Sequence, residues 1–486
     1  MTPIDLTALL PWIVLGATAV ALMLLIAFHR NLALTAGLAL IGLAAAFAAL
    51  LLTAQTGPQQ VTSLLIIDAY ARFYTGLIII ASFAVGLLSY GYLRRRAEPA
   101  EAYYVLLLLA TLGSAVLVAS SHFASFFLGL EILSVSLYAL IAFTRSNGRS
   151  IEAGVKYLVL GAASAAFLLF GMALVYAETG TMQFAVLASL PATNAPGSIL
   201  LQAGLAMLVV GFGFKLALVP FHMWTPDVYE GAPAPTAAFV ASASKGGMFA
   251  VLLRYFVMAP GYTGGQNGAA LPSITIAFAA IAVASMLAGN LLALRQDNVK
   301  RILAYSSIAH LGYLLVAFLA GGAAAITAVT FYLVAYFASI LAAFGVVAVL
   351  SAAEPKRDAD ALDDYRGLFW RRPWLATILT AALLSLAGIP LTAGFIGKFY
   401  VLAAAVGTAW WWLALILVLG SAIGITYYLR IIVAMYREPE GQAGPSGLGP
   451  AVAGAGGVAL AGLAVAVIWL GLYPAPLLSV IQALVR

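Results

Sequence analysis

Uninterrupted apolar runs of roughly twenty residues, separated by short polar breaks, recur from one end of this 486-residue chain to the other. That is the length an α-helix needs to cross the hydrocarbon core of a bilayer. The pattern predicts about fourteen spans, near 7–27, 32–53, 72–92, 103–120, 122–143, 153–177, 199–219, 233–257, 272–294, 300–320, 325–351, 373–405, 409–435 and 451–473. A β-barrel would show short alternating segments instead, so the predicted fold class is an all-α polytopic membrane protein. Two runs are interrupted, the segment around 199–228 by Pro220 and that at 373–405 by Pro390. Proline removes a helical hydrogen bond and collides with the preceding turn. At membrane depth such breaks survive where they are buried in protein or line a wet cavity.

The polar remainder supports this reading. Only 8% of residues are charged against 64% hydrophobic, with a mean hydropathy of +1.06, too little charge to cover a water-soluble surface. The net charge of +6 does not indicate nucleic acid, because the basic residues are scattered between spans. Arg30, Arg94 to Arg96, Arg145 with Arg149, Arg295 with Lys300 and Arg301, the 356–372 group and Arg437 fall in alternate loops. By the positive-inside rule these loops are cytoplasmic and both termini face outward. The first run lacks a basic leader and is expected to be a spanning helix, not a cleaved signal. The stretch 354–372 is expected to be a solvated connection, with a docking surface as the sharper alternative, and 441–450 a Gly/Pro-rich linker before the last span. The chain has no cysteine, which excludes disulfides, thiolate zinc and cysteine-held iron–sulfur clusters.

Charge inside the spans carries the functional signal. Of six lysines, Lys215, Lys245 and Lys398 lie in apolar runs, and Glu131 lies in another. A charge at the bilayer centre costs about 2.5–3.5 kcal/mol on insertion scales, so these four residues are expected to move protons or ions. Glu131 and Lys215, if within about 6 Å, would stabilise each other's charge. Loosening that pair would release the lysine proton, which an arginine would not give up; a structural ion pair is the bland alternative. Lys245 follows the small residues Ala241 to Ser244 and precedes Gly246 and Gly247, which permit close helix packing and also leave room for a relay. Histidine as a residue type titrates near neutrality, which makes His310 a relay candidate, with Ser306 and Ser307 one turn away to hold water beside it and a satisfied core histidine as the bland alternative. Lys156, beside Glu152, is expected to snorkel to the interface, with a pathway role as the alternative. His222, Asp227 and Glu230 form a mixed set more consistent with a loop at a helix break than with a metal site. Phosphate-binding loops, nucleophile elbows and metal-ligand spacings are missing from the sequence.

The runs WTPDVYEGAPAPTAAFVASASKGG, DNVKRILAYSSIAHLGYLL and LSLAGIPLTAGFIGKFY strongly resemble the antiporter-like membrane subunits of respiratory complex I, and within them the bacterial N type. The resemblance spans almost the whole chain. It implies fourteen helices built around two inverted five-helix repeats, here 103–257 and 272–435, preceded by three helices in 1–102 and followed by a last helix and tail in 451–486. The paired breaks agree with an inverted-repeat design, although Lys215 precedes Pro220 by five residues whereas Lys398 follows Pro390 by eight. By the same resemblance Glu131 and Lys215 match the family's glutamate and lysine of helices 5 and 7. Lys245 matches the bridging lysine of helix 8, and Lys398 the lysine of helix 12. The lysine at 398, with no long lateral extension, favours the N type over the M and L types.

The family implies proton translocation driven by NADH:quinone oxidoreduction in partner subunits, with FMN, iron–sulfur clusters and quinone held there and no cofactor in this chain. Its partners would be the A, H, J, K, L and M types of membrane-arm subunit and the bilayer of a bacterial inner membrane. Alternatives are a subunit of a multisubunit Na⁺/H⁺ antiporter, of a related membrane-bound hydrogenase or photosynthetic-type dehydrogenase, or a non-pumping scaffold.

Overall fold

In lipid every backbone N–H and C=O must find a partner within its own segment, which drives apolar runs into helices. The computed structural model, which describes residues 2–96, 99–185, 198–256, 272–354, 357–438 and 450–484, has such helices throughout. They are α1 (Leu10–Phe28), α2 (Leu32–Leu52), α3 (Ala69–Leu93), α4 (Glu101–Ala119), α5 (Phe123–Ile141), α6 (Gly148–Thr179) and α7 (Ile199–Leu216). They continue with α8 (Ala234–Phe256), α9 (Pro272–Ala293), α10 (Val299–Ala320), α11 (Gly322–Ser351), α12 (Pro373–Ala387), α13 (Ala393–Gly407), α14 (Trp411–Tyr436) and α15 (Pro450–Leu472). Among the described residues, thirteen are long and apolar enough to cross a membrane. The shorter α12 and α13 together occupy the run expected as one interrupted span. Most of the expected linker 441–450 lies outside the described residues.

Three features depart from the sequence reading. A short antiparallel hairpin, Gln59–Val61 with Leu65–Ile67, joins α2 to α3. The first break does not begin at its proline. α7 stops at Leu216, where Ala217 adopts a left-handed conformation (φ 60°), and the chain re-forms a helix over Trp224–Gly231. Part of the expected loop is therefore helical. The stretch after α11 is also not simply solvated. Its Asp358 is paired with Lys300 (2.8 Å) and Arg96 (2.9 Å) and accepts from Tyr92 (2.8 Å), while Val299 donates its backbone N–H to Asp360. Burial alone would push the Asp358 carboxyl up, but Lys300 and Arg96 hold it below the ordinary carboxylate value.

Lys300 is likewise no solvent-facing topology charge. It is fully buried and also donates to the carbonyls of Glu230 and Ala232. These contacts, with Arg149–Glu230 and Arg301–Asp227, gather residues from the loops after α3 and α11, the Trp224–Gly231 helix and the first turns of α6 and α10 at one end of the bundle.

Burial differs sharply among the helices. The most apolar windows of α8, α10 and α11 are 100%, 94% and 89% buried, against 28% for α1, α6 and α15, so the helices carrying Lys245 and His310 are the innermost. Close approach makes room for them. A Cβ on Gly113 would lie 2.5 Å from the backbone of Leu133, and one on Gly246 would lie 2.3 Å from the Phe337 ring. The packing reading thus holds for Gly246 itself.

Candidate functional site

The lysines and histidine singled out within the spans lie along one polar row through the bundle. At one end Lys215, in the last turn of α7, is 5% exposed and donates to Ser134 Oγ (3.0 Å) and to the Tyr157 hydroxyl (2.8 Å). Its Nζ also lies 5.2 Å from the centre of the Tyr157 ring, within cation–π range. The expected Glu131–Lys215 ion pair is not made. Ser134 lies one turn beyond Glu131 on the same face of α5 and occupies the lysine instead. The two charges still share a cavity of about 10 Å³ lined by Glu131, Ser134, Tyr138, Tyr157 and Lys215, about the size of a single water molecule.

Tyr157 stacks at a tilt on Trp224 (4.8 Å between centroids), and Trp224 caps the end of α7 by donating from Nε1 to Phe214 O (2.9 Å). Beyond it is Lys245, 1% exposed, with Nζ 5.9 Å from the Trp224 ring and 5.2 Å from the Tyr229 ring. A π-helical turn over Val240–Ser244 precedes it, an irregularity common at functional sites. Lys245 donates to Ser307 Oγ (2.7 Å), which also accepts from Tyr336 (2.8 Å). Ser307, one turn from His310, thus bonds Lys245 directly. Ser306 instead bonds Tyr428.

His310 is 3% exposed and held from both sides, Nδ1 by Tyr332 OH (2.7 Å) and Nε2 by Tyr428 OH (3.1 Å). Tyr313 lies edge-on to it at 5.5 Å and beneath the Lys398 ammonium at 5.3 Å. Lys398, 7% exposed, ends the row. It donates to the carbonyls of Leu386 (3.0 Å) and Ala387 (2.8 Å), the last two of α12, and to Ser421 Oγ (2.7 Å). Gly388, at φ 82°, makes this possible. A Cβ there would meet Lys398 Cδ at 2.7 Å.

Lys156 stands outside the row. Its side chain is 41% exposed and bridges Glu152 (2.7 Å) and Asp227 (2.6 Å), consistent with an interfacial position. With Arg149 and Glu230 they line an open cleft of about 160 Å³. Burial alone would push Asp227 up, but its bonds from Lys156 and Arg301 hold it below the usual range. Asp227 and Glu230 are thus committed to cations, and among the described residues no cluster of potential metal ligands occurs. Pro220 and Pro390 flank the row within the two breaks, Pro220 between α7 and the Trp224–Gly231 helix and Pro390 between α12 and α13.

Sequence reasoning missed the aromatic hydroxyls that line the row: Tyr157 on Lys215, Tyr229 and Tyr336 on Ser307, and Tyr332 and Tyr428 on His310. Tyrosines are normally enriched at membrane interfaces, whereas Tyr332 and Tyr336 lie well inside α11, where a hydroxyl needs a partner. For those two, depth in the span was the available signal.

The family described as NADH:quinone oxidoreductase/Mrp antiporter, transmembrane, matches residues 120–424. The chain is 49% identical over 485 residues to the NADH-quinone oxidoreductase subunit N of Ectopseudomonas mendocina (strain ymp), covering 98% of this chain and 96% of that protein. It is similar to a chain of respiratory complex I from Thermus thermophilus with bound aureothin, with a TM-score of 0.80, 33% identity, and coverage of 96% and 98% of the two chains. A chain of the Mrp complex from Dietzia sp. DQ12-45-1b shares the fold at a TM-score of 0.84, with 20% identity and coverage of 100% and 97%.

Proposed function

The chain belongs to the NADH:quinone oxidoreductase/Mrp antiporter transmembrane family, and on that premise we propose that it is the N-type, proton-translocating subunit in the membrane arm of an NADH:quinone oxidoreductase. The observation that carries this reading is the row Lys215, Lys245, His310 and Lys398, each buried, each bonded to a serine or tyrosine hydroxyl, and bridged by the rings of Trp224 and Tyr313. Hydroxyls both donate and accept, so they hand protons between groups that titrate. Flavin, iron–sulfur and quinone chemistry belongs to partner subunits.

The switch is the Glu131–Lys215 cavity. A unit-charge pair about 5 Å apart is worth about 3 kcal/mol at an effective dielectric of 20. Moving one charge against a membrane potential costs about 2.3 kcal/mol per 100 mV. Drawing Glu131 toward or away from Lys215 therefore changes the lysine's hold on its proton by as much as a translocation step requires. Ser134 and Tyr157 keep the ammonium satisfied while the carboxylate moves.

The chain is a multi-pass membrane protein. We place it in a bacterial inner membrane, with the ion-paired loop end cytoplasmic and both termini periplasmic, following the distribution of basic loops. We assign 103–257 and 272–435 to two inverted repeats, each with one break beside one lysine.

The test follows NADH oxidation and acidification together in inverted vesicles carrying Lys215→Ala. Linked loss of both, with the complex assembled, is expected. Unchanged rates would remove the switch. Normal pumping with loss of Na⁺-dependent proton exchange would point to an ion antiporter.

A further inference from the structure

Between His310 and Lys398 lies a group that the relay described above does not use. Asn290 of α9 is fully buried. Its Nδ2 donates to Met286 O (2.7 Å) and to the Tyr313 hydroxyl (2.8 Å), while its Oδ1 accepts from the Tyr427 hydroxyl (3.0 Å). α14 closes over it. Cβ atoms on Gly420 and Gly424 would lie 3.0 Å from Nδ2 and 3.2 Å from Oδ1. Tyr427 in turn packs against Tyr428 at 4.4 Å between ring centroids, and Tyr428 reaches His310 and Ser306.

The two ends of an amide are not equivalent. A backbone carbonyl only accepts, so Met286 O fixes the NH₂ end of Asn290 toward itself and Tyr313. Oδ1, which also only accepts, then faces Tyr427. Tyr427 must spend its proton on Asn290, leaving only lone pairs for its Tyr428 side. Tyr313 must accept from Asn290, leaving its own proton free to point elsewhere. We propose that Asn290 is a positioning residue of the proton relay, which orients the hydroxyl protons of Tyr313 and Tyr427 and so sets the direction in which protons pass between His310 and Lys398.

This assignment rests on the proton-translocation reading. An alternative role, polar glue between α9, α10 and α14, predicts different variants. Asn290→Leu removes both directing contacts. Asn290→Asp keeps the shape: as a neutral acid it still accepts from Tyr427 and has one proton to donate. Once ionised it only accepts, and turns the Tyr313 proton back toward itself. The titratable and charged groups around it are Tyr313 and His310 from α10, Tyr427 and Tyr428 from α14, and Lys398 from α13. Arg430 of α14, paired with Asp297 at 3.5 Å, lies toward the ion-paired end.

The experiment measures acidification and NADH oxidation by the intact complex in inverted vesicles across the neutral pH range, with the amount of assembled complex as control. Asn290→Leu is expected to lose about tenfold in coupled rate at every pH, on the order of one directed hydrogen bond. Asn290→Asp is expected to approach the parent rate at the acid end and to fall progressively below it as pH rises, so that the ratio of the two rates declines with pH. Two assembled variants with the same pH profile, whether fast or slow, would overturn the proposal. A pH-dependent Asn290→Asp beside an unaffected Lys215→Ala would overturn the underlying relay reading instead.

Discussion

The two helix breaks solve the same problem, a lysine in hydrocarbon, by different chemistry. At the first, Lys215 sits on the helix before the break and reaches sideways to the hydroxyls of Ser134 and Tyr157, with Glu131 across a small cavity. At the second, Lys398 sits on the helix after the break and reaches back to the last two carbonyls of α12 and to Ser421. Among the described residues no carboxylate pairs with Lys398. Its counter-charge is the negative end of a helix dipole, fixed in place by backbone, whereas that of Lys215 is a side chain able to move. One break is adjustable and the other is rigid. On the proposed relay reading, the switch belongs to the first break and the second is a fixed station that responds to what reaches it through His310 and Tyr313.

The comparison breaks most sharply at the rigid end. Lys398→Met removes the proposed terminal proton carrier and leaves the Leu386 carbonyl and Ser421 without their donor, Ala387 keeping only Ser421. Coupled acidification is expected to fall about a hundredfold, and an assembled variant pumping at the parent rate would dismiss the second station. Glu131→Gln should cost less, about tenfold, because Ser134 and Tyr157 still hold Lys215 while the movable charge is lost. Equal rates for Glu131→Gln and the parent would mean that the first break is as fixed as the second. Lys156→Ala, at the exposed cleft, should stay within about twofold, as its solvent-screened pairs contribute little. Complete loss of acidification there would place the proton intake at that cleft.

The spans were legible because membrane helices carry their signal as continuous runs, and the four intramembrane charges because each is costly where it stands. What joins them was not legible. Ser134 displaces the expected ion pair through the i, i+3 geometry of α5, which matters only once α7 is docked beside it. Asp358 reaches Lys300 across 58 residues and Arg96 across 262, contacts that local pattern cannot reveal. The tyrosines that line the row are ordinary in composition and become informative only by depth. Asn290 reads as a polar residue near a helix end until α14 closes over it.

Lys245 lies between the two breaks and decides whether the row carries protons or merely holds charge. Lys245→Arg keeps the positive charge but not the ability to release a proton at any working pH. The direct measurement is acidification and NADH oxidation by the assembled complex in inverted vesicles carrying this substitution. The account predicts that both rates fall together although the charge remains. Parent rates of both would show that the charge alone suffices, and would contradict a proton path through Lys245.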